Sequence, residues 1–322
     1  MLRQALSQSN VTRLGLVERT LSSSLTSITC LVFLFINGVM MFTLRSKPVF
    51  RETSRYILLF HLLLADTIQM AISQVLYLLH ICRIIITYPV CGVLTMLVLL
   101  TSDISPMVLV VMSLERYVAV CHALRHASIV TIKKTMVVVL AVWMFSSLNI
   151  LTRVLLLLKF PFDEMESLQM PKLCDSTSLI LMPVSDHYNT AYTGFLFTLA
   201  ALAIVCSYIG VTMAARLVLR SKGDKESARK AQRTLLLHLV QLGLTLMSFI
   251  HATVMIVLYR FTSRIVFLRT QAFLFVCFFF MPRCMGSLIY GLRDQTIRVV
   301  LMYYICRTLK MTVTPVKAEL VT

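Results

Sequence analysis

Charged side chains are scarce in this sequence. They make up 14% of the 322 residues, whereas a soluble globular domain has about a quarter. Acidic residues are the rarer sign, 14 Asp and Glu against 31 Lys and Arg. Hydrophobic residues account for 58%, and the mean hydropathy is +0.84. This composition excludes a soluble globular domain and indicates an integral membrane protein whose surface faces lipid.

The sequence also lacks the motifs of metal sites, enzymes and repeat-built transporters. The nine cysteines form no CxxC pairs and no Cys/His cluster, which argues against a zinc site. We therefore predict no metal and no cofactor. We find neither a nucleophile–base pair nor a nucleotide-binding loop, so an enzyme is not expected. No internal repeat is present, whereas transporters often consist of repeated halves.

The net charge of +17 raises the question of nucleic-acid binding. The basic residues lie between long apolar runs, however, and this is the pattern of membrane topology. We therefore predict membrane lipid as a partner and no nucleic acid.

The sequence contains seven apolar runs, and a helix needs about 20 apolar residues to cross a bilayer. We predict an all-α membrane protein, a seven-transmembrane helix bundle over 24–292, with a tail at 1–23 and a further segment at 293–322. The first run is too long for a cleaved signal and is expected to be a retained signal anchor. The runs are 24–44, 56–80, 88–116, 135–157, 188–217, 231–258 and 267–291.

Orientation follows from the Lys and Arg counts. If the N-terminus is outside, the inner segments carry twenty basic residues and the outer segments nine. This predicts an extracellular N-terminus and a cytoplasmic C-terminus. Asn10 opens a glycosylation sequon on the outer side. Residues 294–306 are expected to form a short amphipathic helix along the inner leaflet. Cys306 there is a candidate palmitoylation site, although an unmodified cysteine fits equally well.

The third run ends in a specific motif. Between Ile84 and Leu114 its only charged side chain is Asp103, and Met-Ser-Leu-Glu-Arg-Tyr-Val-Ala-Val-Cys follows at 112–121. This string resembles the third-helix signature of rhodopsin-like G protein-coupled receptors. With Leu-Arg-His at 124–126 it looks most like the odorant-receptor branch, where the first acid is usually Asp.

Other segments carry the same resemblance. Ser-Tyr-Ile at 207–209 matches the fifth-helix signature of odorant receptors, and 230–239 resembles their sixth-helix entry, with Leu235 in place of Cys. The sixth run lacks the Trp and Pro of most rhodopsin-like receptors, as odorant receptors do. The segments 52–57 and 62–67 are similar to fish-type odorant receptors.

The resemblance implies roles for particular residues. Cys91 and Cys174 correspond to the disulfide that ties an outer loop to the third helix. Glu115 is expected to hold Arg116 in the resting state, beside Tyr117. On activation Arg116 is expected to turn towards two tyrosines, Tyr208 and Tyr290.

Charged residues inside a membrane are costly and often functional. Four are found here, and Arg153, near a helix end, is expected to snorkel to the interface. Asp66 and Ser105 resemble the pair that commonly holds sodium in rhodopsin-like receptors, and Asn37 matches the polar marker of helix one. The usual Asn-Pro of helix seven is Gly-Ser at 286–287. We hypothesise that Arg283 pairs with Asp66 in place of sodium. The alternatives are that Arg283 snorkels inward or faces Asp103.

Asp103 lies near the middle of the third helix, at the depth expected for the floor of a ligand pocket. Receptors for biogenic amines carry an acid about one turn higher, where Val98 stands, so an ordinary aminergic site is disfavoured. An opsin is disfavoured because the seventh run contains no Lys. The predicted pocket residues lie on helices three, five and six: Val98, Leu99, Ser102, Asp103, Thr198, Ala201, Leu202, His251 and Met255.

The resemblance implies an odorant receptor of the plasma membrane. It would bind a small-molecule odorant from outside and activate a heterotrimeric G protein, which is expected to be of the stimulatory type that raises cyclic AMP. A non-olfactory rhodopsin-like receptor for another small molecule or peptide stays open. The intramembrane Asp66, Asp103 and Arg283 also leave a transporter or channel as a more remote alternative.

Overall fold

The computed structural model describes residues 2–82, 84–122, 125–159, Cys174, 183–220, 264–285, 297–300, 302 and 303, with isolated positions between 233 and 261. Eight α-helices and one π-helical segment are defined within these residues. They are α1 Leu2–Ser46, α2 Pro48–Arg51, α3 Ser54–Ile81, α4 Tyr88–Cys121, α5 His126–Ile129, α6 Ile132–Leu158, α7 Pro183–Arg220, α8 Arg264–Leu274 and the π-helix Phe275–Phe280.

Five of these helices are long and apolar enough to cross a membrane. They are α3, α4 and α6 in full, the part of α1 from Arg19 to Ser46, and the part of α7 from Pro183 to Ala214. A shorter apolar helix, Thr270–Met285, falls within the seventh predicted run. Most of the sixth run lies outside the described residues, although its isolated described positions are helical. The first five runs are thus confirmed as helices long and apolar enough to span a membrane.

Local sequence accounts for several helix ends. The helix α1 ends at Ser46, two residues before Pro48. A proline ring disfavours the helical conformation of the residue that precedes it, here Lys47. Proline stands in the first turn of α4 and at the first position of α7, where its missing N–H costs no hydrogen bond. The Thr131 side chain caps α6 by accepting from the Lys134 backbone N–H at 3.4 Å.

The predicted tail at 1–23 is helical from Leu2 onward and continues directly into the first span. This stretch contains no proline, so nothing in it interrupts the ladder of backbone hydrogen bonds that continues into the span. Asn10 is part of this helix, before the spanning part that begins at Arg19.

The helix α4 occupies the centre of the bundle. It contacts α3, α6 and α7, while α1 packs against α3 and α8. The main core cluster lies along these contacts and includes Leu62, Ile104 and Ile204, all fully buried. Large apolar side chains cover the outward faces, such as Leu31 and Val137 at 66% and 65% exposed. An apolar exterior of this kind suits lipid.

Two helices depart from regular geometry. Pro106 lies inside α4, where it removes the backbone N–H that would bond the Ser102 carbonyl. The π-helix at Phe275–Phe280 continues α8 before α-helical geometry resumes at 281–285. π-helical turns are rare and frequently lie at functional sites. Both departures lie next to buried charged residues.

The two ends of the bundle carry distinct features. Cys91 on α4 forms the predicted disulfide with Cys174, with the Cα atoms 5.7 Å apart. We call this the disulfide end. Near the other end, the helical positions 297–300 place Ile297 in the main core with Val300 packed against it, while Val299 is 68% exposed. These positions belong to the predicted amphipathic helix, whose Cys306 lies outside the described residues.

Candidate functional site

The end of α4 opposite the disulfide carries a charged cluster. The Arg116 Nε lies 3.4 Å from the Glu115 Oε2, and the His126 Nε2 lies 3.5 Å from the Glu115 Oε1. We call Glu115, Arg116 and His126 the Arg116 cluster. Glu115 thus lies between two nitrogen-bearing side chains, and the Arg116 guanidinium is held beside it.

Next to this cluster α4 and α7 approach closely. The Tyr117 ring lies against Gly210, and a Cβ at Gly210 would come within 2.9 Å of the Tyr117 Cδ2 and nearer still to Cε2. The Cys121 thiol donates to the Gly210 carbonyl oxygen at 3.8 Å. Tyr208 is half-buried on the same helix. Tyr290, the other predicted partner of Arg116, lies outside the described residues.

A second polar group, the Asp66 cluster, joins α3, α4 and the helical residues 281–285 that follow the π-helix. The Ser105 hydroxyl donates to the Asp66 Oδ1 at 2.7 Å, and Asp66 is 3% exposed. Arg283 is 5% exposed and interacts electrostatically with Asp66. Its Nη1 donates to the Phe279 carbonyl oxygen at 2.5 Å, and its guanidinium lies 3.8 Å from the Phe279 ring centroid.

The structure therefore brings Asp66, Ser105 and Arg283 together, each from a different part of the chain. Asn37 was predicted to belong to the same network. Its side chain is fully buried but makes no hydrogen bond to any residue in the described part of the chain.

A third polar group, the Asp103 cluster, lies between α4, α6 and α7. The Asn149 Nδ2 donates to the Asp103 Oδ2 at 2.6 Å, and the Tyr188 hydroxyl donates to the Asn149 Oδ1 at 2.8 Å. Tyr192, one turn further along α7, lies beside the Asp103 carboxylate. Arg153 completes the cluster from α6.

The snorkelling prediction for Arg153 is wrong. Arg153 is only 6% exposed, and its charge interacts with that of Asp103. Its guanidinium lies 5.9 Å from the Tyr188 ring centroid and 5.6 Å from that of Tyr192. The side chain turns inward because an opposite charge and two aromatic faces stand on the neighbouring helices.

The predicted ligand pocket is not assembled as one wall by the described residues. Asp103 faces α6 and α7 and has protein partners there. Ser102 is buried and accepts a hydrogen bond from Gln69 on α3. Val98, Leu99 and Ala201 are half-buried. Thr198 is exposed and Leu202 is 58% exposed, because both lie on the outward face of α7. His251 and Met255 lie outside the described residues.

Three members of the Asp103 cluster, Asn149, Tyr188 and Tyr192, were not predicted from the sequence. Asn149 and Arg153 are four residues apart on α6, and Tyr188 and Tyr192 are four residues apart on α7. Residues at this spacing share one helix face. Two polar pairs on otherwise apolar spans are a signal that could have located the cluster.

Comparison with known proteins identifies the family. The family model "7 transmembrane receptor (rhodopsin family)" matches residues 36–290. The chain belongs to this family. Its relatives include "Odorant receptor 131-2" of Danio rerio, 30% identical over 290 residues, which cover 89% of this chain and 87% of that protein. "Olfactory receptor 2A12" of Homo sapiens is 27% identical over 200 residues, covering 60% and 63%.

The membership confirms the recognised resemblance and the predicted seven-helix fold. It makes the chain a multi-pass protein of the plasma membrane. Receptors of this family are not enzymes, and the same holds for this chain. Within the described residues, no group of three or more His, Cys, Asp or Glu side chains is arranged to hold a metal ion.

Proposed function

We propose that this receptor binds a small-molecule odorant from the extracellular side and activates a heterotrimeric G protein, of the stimulatory type that raises cyclic AMP. The similarity to a zebrafish odorant receptor over 89% of the chain supports the ligand class. The excess of basic residues, twenty against nine, supports an extracellular N-terminus. In that orientation the disulfide end lies outside and the Arg116 cluster lies at the cytoplasm.

The observation that carries the proposal is the contact between Arg116 and Glu115. The pair is 3.4 Å apart and mostly shielded from solvent, at the end of the central helix. We infer that it holds the resting conformation. A ligand that binds the active conformation more tightly shifts the population towards it. Arg116 then leaves Glu115 for Tyr208 and Tyr290, and the cleft between the helices admits the G protein.

Charge on the cytoplasmic side suits both partners. The segment 216–233 carries seven basic and two acidic residues. Basic residues next to a membrane are attracted to anionic lipid. The same segment adjoins the cytoplasmic end of α7, where a G protein would dock. We therefore propose that the basic segment 216–233 contacts both anionic membrane lipid and the G protein.

The test is cyclic AMP in cells that co-express a stimulatory G protein, with a panel of water-soluble odorants. Wild type, Arg116→Ala and Lys133→Ala are compared at matched surface levels. Lys133 is an exposed basic residue of α6 near the same end. We expect odorant responses in wild type and Lys133→Ala, and none in Arg116→Ala.

Equal responses in wild type and Arg116→Ala would contradict the role of Arg116. An odorant-gated ion current without cyclic AMP would instead favour a channel. The same cells report both results, since current and cyclic AMP can be recorded in parallel.

A further inference from the structure

We propose that the guanidinium of Arg153 is a recognition site for a carboxylate group of the receptor's ligand. This rests on the proposed function in one respect, that a small molecule enters the bundle from the disulfide end. It goes beyond that function by naming the chemical class of the ligand and the residue that selects it.

The first observation is that Arg153 is a buried cation whose N–H donors have no hydrogen-bond partner among the described residues. Its side chain is 6% exposed, and its Nε is buried without a hydrogen-bond partner in the described part of the chain. A guanidinium has five N–H donors in a planar fork. Those of Arg153 form no hydrogen bond and no direct ion pair with any residue that the structure describes. The aromatic faces of Tyr188 and Tyr192 are its near neighbours.

The second observation concerns the one nearby acid. Asp103 interacts with Arg153 through space, but its Oδ2 is already hydrogen-bonded by Asn149. The acid therefore lowers the cost of burying the cation without filling its donors. A buried charge that lacks hydrogen bonds is unfavourable. An incoming carboxylate removes this cost, because its two oxygens match the guanidinium fork in a bidentate pair.

Arg153 also lies near one end of the bundle. Arg153 lies five residues before the end of α6 at Leu158, which is about 8 Å along the helix axis. Tyr188 lies five residues after the start of α7 at Pro183. Both therefore stand near the disulfide end of the bundle. Asn149 and the Asp103 carboxylate lie about one turn deeper.

This arrangement also predicts selectivity. The Tyr188 and Tyr192 rings offer flat apolar surfaces for the carbon skeleton of a ligand. The Asp103 carboxylate repels a second negative group that reaches deeper. The site is therefore expected to favour monocarboxylates over dicarboxylates of similar length. It should also reject primary amines, which the Arg153 charge repels.

The experiment measures direct binding to the purified full-length receptor in lipid nanodiscs. The probes are straight-chain and aromatic monocarboxylates, each with its methyl ester and the primary amine of the same skeleton. Wild type is compared with Arg153→Gln, Arg153→Lys and Lys159→Gln. Lys159 is an exposed residue at the same end of α6 and controls for charge alone.

We expect wild type and Lys159→Gln to bind a carboxylate at least about tenfold more tightly than its ester or amine. Arg153→Gln should lose this preference, since a charge-assisted hydrogen bond is worth about 1.5–3 kcal/mol, or roughly tenfold and more in affinity. Arg153→Lys keeps the positive charge but lacks the planar guanidinium, so its preference for the carboxylate should lie between those of wild type and Arg153→Gln. If Arg153→Gln does not fold, the Arg153→Lys comparison decides.

Three results would overturn the site: equal binding of acids and esters, unchanged acid preference in the Arg153 variants, or no carboxylate binding to wild type. Cyclic AMP measured on the same variants separates this inference from the proposed function. Acid-selective binding without any signal sustains the site and contradicts the function. Odorant signals indifferent to Arg153 sustain the function and contradict the site.

Discussion

The Tyr117 ring lies against the backbone of Gly210, in a gap that has no room for a Cβ. Gly210→Ala should therefore lower the free energy of unfolding by about 1–3 kcal/mol, the usual cost of overpacking. The matched control is Gly194→Ala on the same helix, where a Cβ meets nothing within 4 Å. That change should be neutral or stabilising by up to about 1 kcal/mol, because Ala favours helix. Thermal unfolding of the purified receptor measures both.

A second variant makes this prediction specific. Tyr117→Ala removes the ring, so adding Gly210→Ala to it should cost little. If Gly210→Ala destabilises the two backgrounds equally, the contact with Tyr117 is not the cause.

The contact between Glu115 and Arg116 predicts the direction of basal signalling. Glu115→Gln removes the negative charge while keeping the shape, so the resting state loses an ion pair worth about 0.2–1 kcal/mol. Basal cyclic AMP should rise up to about fivefold. Glu52→Gln, an exposed residue beyond α2, should leave it unchanged. A basal level equal to wild type in Glu115→Gln would show that the pair does not restrain the receptor.

The Asp66 cluster predicts how the receptor responds to sodium. We propose that Arg283 supplies a fixed positive charge in place of the sodium ion that the family resemblance implies beside Asp66 and Ser105. Thermal stability of wild type should then be the same in sodium and potassium chloride. Arg283→Gln should cost about 3–5 kcal/mol, because it leaves a buried Asp66 without its opposite charge. It should also make stability depend on sodium.

The double variant Asp66→Asn with Arg283→Gln is the control for this prediction. It removes both charges, so most of the lost stability should return. A clear sodium effect on wild type would mean that Arg283 does not replace the ion.

The hydrogen bonds of Asn149 predict a stability effect on α6. Asn149→Ala removes its bonds to Asp103 and Tyr188, so a buried carboxylate and a half-buried hydroxyl each lose a hydrogen-bond partner, at a cost of about 2–4 kcal/mol. Thr152→Ala, whose hydroxyl bonds only the Leu148 carbonyl in its own helix, should cost less than about 1 kcal/mol. Thermal unfolding distinguishes the two, and similar losses in both would count against the cluster.

Much of the helical framework follows from the sequence alone. The apolar runs located α3, α4, α6 and α7 to within five residues at each end. The run at 24–44 located the spanning part of α1, Arg19–Ser46, equally well. It did not locate the start of this helix at Leu2, because an apolar run marks what lies in lipid and not how far a helix extends. The disulfide Cys91–Cys174 was implied by resemblance and is present in the structure.

Side-chain orientation was harder to predict, and the physical reason is the solvent. In water an apolar stripe marks the buried face of a helix. In a membrane both the lipid-facing and the core-facing sides are apolar. Nothing in the spacing showed that Leu202 points outward or that Arg153 points towards Asp103. Only polar pairs such as Asn149 with Arg153 carry that information.

The π-helix Phe275–Phe280 determines in which direction around the helix axis the side chains of residues 281–285 point. A π-helical turn holds one extra residue, so the next residues are rotated by about 100° relative to an uninterrupted α-helix. Arg283, three residues beyond, owes its direction towards Asp66 to that rotation. Conversion of this turn to α-helix would rotate the Arg283 side chain away from Asp66. A small change in the winding of this segment would therefore rotate the residues after it and change which charged side chains are in contact.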